Sequence, residues 1–157
     1  MSTNESHEAR MAAAGITLPD AMPPAGLYVP AVVAGDLLHI GGHGPISDNG
    51  LVTGKVGTDL DVDAAYEAAR LTGLQLLAAA RDVLGTLDQV VRVVKIFGMV
   101  NCAPGFNQTP SVINGCSQLM HDVFGDAGIH TRSAVGMAEL PFDIAVEIEG
   151  IFQITPG

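Results

Sequence analysis

HTRSAVGMAELPFDIAVEIEG, residues 130–150, holds two β-rich runs separated by Leu140-Pro141. The first, Thr131 to Met137, carries Arg132. The second runs from Asp143 through Gly150 to Ile154 and alternates with a period of two. Ile144, Val146, Ile148, Phe152 and Ile154 share one face, which is the predicted core face. Ala145, Glu147, Glu149 and Ile151 share the other, so two carboxylates stand beside apolar neighbours. Arg132 is the only lysine or arginine after Lys95. Its planar guanidinium suits bidentate capture of a ligand carboxylate, and equally an internal salt bridge to Glu147 or Glu149. Glu147 has two readings as well. An acid on a strand ordinarily faces solvent. One in a cleft has its pKa raised by desolvation and becomes fit to activate water.

Upstream of this stretch, Glu8 to Ala14 reads as a short helix stopped by Gly15, and Pro19, Pro23 and Pro24 enforce an extended connection to Gly26. Tyr28 to Val33 and Leu37 to Gly42 read as two strands around a Gly35-Asp36 turn. Gly41-Gly42-His43-Gly44-Pro45 ends the second, and its glycines admit a close approach to the backbone. Asp61 to Leu84 is the clearest helix, with Asp61 as cap, Asp63 in the first turn and Gly85 as stop. Ala65, Ala68, Thr72, Leu76 and Ala79 form its main apolar stripe, broadened by Leu71, Leu74 and Ala78. Val90 to Val100 is a β-branched run expected to be buried on both faces. Thr109, followed by Pro110, is expected to cap a second helix with its stripe at Val112, Cys116, Leu119, Met120 and Val123, ending at Gly125. The order strand, strand, helix, strand, helix, strand, strand predicts an α+β sandwich of two layers, a mixed sheet with two helices on one face. Residues 1–26 form an arm with a short helix and 27–155 a single domain. The uncovered sheet face points to oligomerisation.

The chain has 157 residues and a formal net charge of −10. That charge, scarce aromatics and no visible basic patch disfavour nucleic-acid binding. No apolar stretch reaches 18 residues, which argues against a membrane span. Met1 to Arg10 mixes acid and base, with no signal-peptide pattern. Cys102 and Cys116 read as buried free thiols in a reducing cytoplasm. His39 and His43 are about 13 Å apart along a strand and lack a third ligand, so no metal site is expected. His43 fits better as a polar wall of a pocket. His7 and His121 read as surface residues, and His130 has no assigned part. The glycine cluster lacks the phosphate-loop pattern, and no serine-hydrolase elbow is present.

Arg132-Ser133-Ala134-Val135, Leu140-Pro141 and Val146-Glu147-Ile148-Glu149 together resemble the C-terminal signature of the YjgF/RidA family. Gly41 to Pro45 occupies the place of that family's serine-glycine-glutamine-x-proline stretch, Val93-Val94-Lys95 matches its central strand, and Asn114 sits where a helix asparagine is expected. The resemblance spans about Leu27 to Ile154. The longer arm and the segment Val100 to Phe106 look like a distinct branch.

The resemblance implies a chorismate-mutase-like fold and a homotrimer with clefts between subunits. It implies a cofactor-free deaminase in which Arg132 binds the carboxylate of a 2-imino acid, and water releases ammonia to leave a 2-oxo acid. Tyr28 and Asn114 would line the cleft, Glu147 would position or polarise water, and Gly42 backbone groups would orient the substrate. Three positions depart from the family pattern: Gly41 replaces a serine, His43 a glutamine and Ala134 a frequent cysteine. These departures motivate a second reading, a trimer that binds 2-oxo acids without turnover. A ribonuclease or translation inhibitor, a role ascribed to some relatives, is the weakest reading given the charge.

Overall fold

In the computed structural model, which describes residues 5–157, a short helix α1 (His7–Ala13) leads into β1 (Ala31–Ala34) and β2 (Leu37–His43). A small hairpin of β3 (Ile46–Ser47) and β4 (Gly50–Leu51) follows, then the long helix α2 (Val62–Leu84). The chain continues through β5 (Val90–Asn101), α3 (Thr109–Phe124), β6 (Thr131–Met137) and β7 (Val146–Ile154). The main sheet has the order β1-β2-β7-β5-β6, with β5 and β6 parallel and the other neighbours antiparallel. It is thus a mixed sheet in an α+β fold with three helices: α2 and α3 pack on the sheet, and α1 is the expected short helix of the arm.

Local chemistry explains the long helix. The Asp61 carboxylate accepts from the Ala64 N–H at 2.8 Å, and Gly85 closes the helix at φ 81°, donating to Arg81 O at 2.7 Å. The stripe Ala65, Ala68, Thr72, Leu76 and Ala79 is fully buried. On β7 the expected core residues Val146, Ile148, Phe152 and Ile154 are buried beneath the helices. Ala145, expected on the opposite face, is buried too. It precedes the strand, its N–H donates to Val52 O, and alternation does not govern it. The run from Asp143 is not all strand, because Pro141–Asp143 forms a helical turn with Phe142 at φ 57° and Asp143 at φ 56°.

Three other expectations change. The first strand starts at Ala31, not Tyr28, because Pro30 has no N–H to give a ladder and its carbonyl instead accepts from Gly41 N at 2.9 Å. Thr109 is the first residue of α3 rather than its cap; its hydroxyl donates to Ala134 O at 2.9 Å, pinning α3 to β6. The central strand β5 is buried on one face only: Val93, Ile96 and Val100 lie under helices, while Val91 and Lys95 are exposed.

The arm helix α1 packs against α3 and the turn after α2. Ser6 caps it, accepting from Ala9 N at 3.1 Å, and Met11 is buried in the core. Glu8 accepts from Leu87 N at 2.9 Å and pairs with Arg81 at 3.6 Å. His7, expected at the surface, is half-buried: its Nε2 meets Val90 O at 2.9 Å and its ring stands edge-on to Phe124. Among the described residues, no helix is long and apolar enough to cross a membrane.

Candidate functional site

Arg132 lies on β6, the edge strand, opposite Ile96 of β5. Ile96 faces the helices, and so does Arg132. Its Nη1 donates to Asn114 Oδ1 at 2.8 Å and to Ser117 Oγ at 3.1 Å, and its Nη2 to Pro110 O at 3.4 Å. Among the described residues no carboxylate lies within salt-bridge distance of the guanidinium. The internal salt bridge to Glu147 or Glu149 therefore does not form. Neutral groups hold the cation in place and leave its charge uncompensated.

Two residues that sequence reading left out complete this cluster. His130 Nδ1 lies 2.6 Å from Gly128 O, and a carbonyl can only accept, so Nδ1 carries the proton. Its Nε2 is then the acceptor for the Ser117 hydroxyl at 3.0 Å. The chain Arg132–Ser117–His130–Gly128 fixes the guanidinium's orientation. Burial, opposed by the Gly128 carbonyl and reinforced by the Arg132 charge, lowers the His130 pKa and favours that neutral ring. These residues line an open depression of about 290 Å³. Beneath it, burial pushes the Cys116 thiol up to about 12, so it remains protonated.

Glu147 sits elsewhere. On β7 it pairs with Met99, between the buried Val146 and Ile148, so it points away from the helices. Arg132 and Glu147 are thus on opposite faces, two strands and three residues apart, roughly 14 Å between backbone positions. One small molecule does not reach both within a chain.

Around Glu147 the structure gathers the other expected residues. Tyr28, Gly42, His43 and Glu147 line a cleft of about 470 Å³. The pairing of β2 with β7 slips between Ile40 and His43, a bulge at Gly41-Gly42 that brings the Gly42 backbone onto the Glu147 carboxyl. A Cβ at Gly42 would overlap that carboxyl, lying 3.0 Å from Cδ. His43 Nδ1 is 2.7 Å from Gly41 O, so its Nε2 is the acceptor, and burial lowers its pKa despite that hydrogen bond. Tyr28 turns its hydroxyl back to accept from Ala25 N at 3.2 Å. Burial first, and the Glu149 charge second, raise the Glu147 pKa. His39 belongs to neither cleft; it faces an outer-sheet depression with Lys95, Phe97 and Glu149.

The expected site is therefore split into two halves: Arg132 with Asn114 at one edge of the sheet, Glu147 with Tyr28, Gly42 and His43 toward the other. Gln75 of α2, to which the sequence assigned no part, lines the Glu147 cleft.

Residues 8–148 match the family described as "YjgF/chorismate mutase-like, putative endoribonuclease". The chain is 43% identical over 142 residues to Protein TCP17 of Trypanosoma cruzi, covering 89% of each. It is 42% identical to the structure of the protein Atu1372 of Agrobacterium tumefaciens, with TM-score 0.87, covering 95% of this chain and 92% of that one. A structure from Shewanella oneidensis MR-1 is 27% identical with TM-score 0.90, covering 95% and 99%.

Proposed function

The chain belongs to the YjgF/chorismate mutase-like family, and on that premise we propose that it is a homotrimer whose intersubunit clefts hydrolyse small 2-imino acids to 2-oxo acids and ammonia. In this reading Arg132 of one subunit holds the substrate carboxylate, and Glu147, Gly42, His43 and Tyr28 of its neighbour surround the imine. One observation carries it: an uncompensated guanidinium and a desolvated carboxylate, both on one chain yet on opposite faces of its sheet. The uncovered outer face, with exposed Val32 and Val91, supports association.

The chemistry balances with water alone. The water oxygen bonds to the imine carbon while Glu147 takes a proton from it. That proton passes to the nitrogen, giving a carbinolamine; the hydroxyl proton then follows by way of Glu147, the carbon–oxygen double bond forms as the carbon–nitrogen bond breaks, and ammonia leaves. Arg132, pre-set by Asn114 and Ser117, keeps the substrate in register without reorganising. The endoribonuclease part of the family's description gains no support from a net charge of −10.

The test is ammonia release from imines generated in place by an amino-acid oxidase. Purified protein is expected to accelerate it. A rate equal to buffer overturns the deaminase reading, and saturable 2-oxo-acid binding without acceleration would make the protein a binding module instead.

The pH profile is a second expected outcome. Activity is expected to rise as pH climbs through the Glu147 pKa, above the usual carboxylate range. Stability should move oppositely. Between the ordinary and the raised value the folded chain keeps a proton that the unfolded chain has released, so rising pH destabilises it across that window. Glu147→Gln is expected to remove both trends, measured by initial rates and by thermal unfolding. An unshifted acid limb in that variant contradicts the assignment.

A further inference from the structure

Gln75 is one of the few polar residues buried in this fold, and it lines the Glu147 cleft. The residue is 4% exposed and borders the cleft, and its Oε1 is buried with no hydrogen-bond partner among the described residues. Cores avoid an orphaned amide, and its neighbours Leu76 and Leu77 show that leucine packs in this turn of α2. A carboxamide at a cleft wall whose oxygen has no partner gains a hydrogen bond by turning that oxygen to a donor that enters the cleft.

The walls around it are apolar and come from three separate parts of the chain. Met22, Pro23 and Pro24 of the arm form one wall, Ile46 and Leu51 of the small hairpin another, and Phe142 with Ile144 the third. The volume, about 470 Å³, lies in the range of pockets that enclose ligands far larger than a three-carbon acid. Phe142 is 75% exposed at this wall, on a backbone of φ 57° that bulky residues rarely adopt. Its neighbour Asp143 holds the turn: Asn101 Nδ2 donates to Asp143 Oδ1 at 2.9 Å and Gly54 N to Asp143 O at 2.8 Å. An aromatic held in place on such a backbone and exposed at a cleft is available to a ligand rather than to the core.

We propose that this cleft receives the substrate's side chain, and that the substrate class is 2-imino acids with a bulky apolar side chain bearing a hydrogen-bond donor, which pairs with the Gln75 carboxamide. The proposal rests on the reading that Arg132 holds the carboxylate. It also gives the arm a part, since Met22 to Pro24 wall the side-chain pocket.

Three stable 2-oxo acids serve as probes: pyruvate, phenylpyruvate and 4-hydroxyphenylpyruvate. Calorimetric titration of the wild-type protein is expected to rank them, with phenylpyruvate at least about 10-fold tighter than pyruvate and the hydroxylated acid about 10-fold tighter again. Gln75→Leu is expected to erase only the second step, with its thermal midpoint equal to or above wild type. Equal affinity for all three acids overturns the proposal, and so does a hydroxyl preference that survives in Gln75→Leu. The wild-type ranking needs no variant and stands whether or not Gln75→Leu folds. Arg132→Ala separates the two readings. If it weakens all three acids but the wild type does not rank them, the side-chain pocket is wrong and the carboxylate contact right. If the ranking holds and Arg132→Ala changes nothing, the reverse is true. No binding by any of the three overturns both.

Discussion

An Arg132→Ala protein is expected to bind small 2-oxo acids at least about 100-fold more weakly than wild type, a loss of about 2.7 kcal/mol, while keeping its fold. Among the described residues the guanidinium is the sole cation lining its depression, and Asn114, Ser117 and the Pro110 carbonyl already orient it. Truncation removes both the charge and a pre-set pair of donors, which no neutral neighbour replaces. The fold should survive because Arg132 sits half-buried on an edge strand and stabilises no buried carboxylate. Lysine at this position restores charge without the planar fork, so Arg132→Lys is expected to recover only part of the loss. Calorimetric titration alongside thermal unfolding separates binding from folding. Unchanged affinity in a folded Arg132→Ala protein would remove the guanidinium from the site.

The largest expected effect on stability lies at Gly115, where α3 crosses α2. A Cβ there would overlap the Tyr66 carbonyl oxygen and lie 2.9 Å from its carbon and 3.1 Å from the Arg70 nitrogen. All three are backbone atoms inside a helix and cannot swing aside. The helices must separate instead, opening the contact that seats Cys116, Leu119 and Leu76 in the core. Gly115→Ala is therefore expected to cost about 3 kcal/mol and to lower the melting temperature by about 10 °C. The gain in helix propensity from glycine to alanine, about 1 kcal/mol, is too small to offset it. Ser111→Ala, at an exposed position of the same helix, is expected to stay within about 0.5 kcal/mol. Equal stability of Gly115→Ala and wild type would contradict the close helix crossing.

What the sequence made legible was local. Asp61 and Gly85 bound α2 because cap chemistry acts over a few residues, and the even face of β7 is core because alternation is a property of one strand. The isolation of Arg132 among acids is visible in the order of residues. Its distance from Glu147 is not: it depends on β5 lying between β7 and β6, a pairing between segments far apart in the chain. Thr109 shows the same limit. Beside Pro110 it has the chemistry of a cap, yet its hydroxyl goes to Ala134 because β6 passes there. His130 and Ser117 are joined only when α3 meets the start of β6. Gln75 did leave a signal. From Gly73 to Ala80 it is the only polar side chain, and an amide inside such a run asks for a partner.

Mixed oligomers test the central claim most directly. Arg132→Ala and Glu147→Ala chains, each nearly inactive alone, would be unfolded together, refolded at equal amounts and assayed for ammonia release from imines. If one subunit supplies Arg132 and its neighbour Glu147, random assembly rebuilds about a quarter of the sites, and about a quarter of wild-type activity should return. If both groups act from the same chain, no intact site can form, and activity no higher than that of the separate variants would contradict the account.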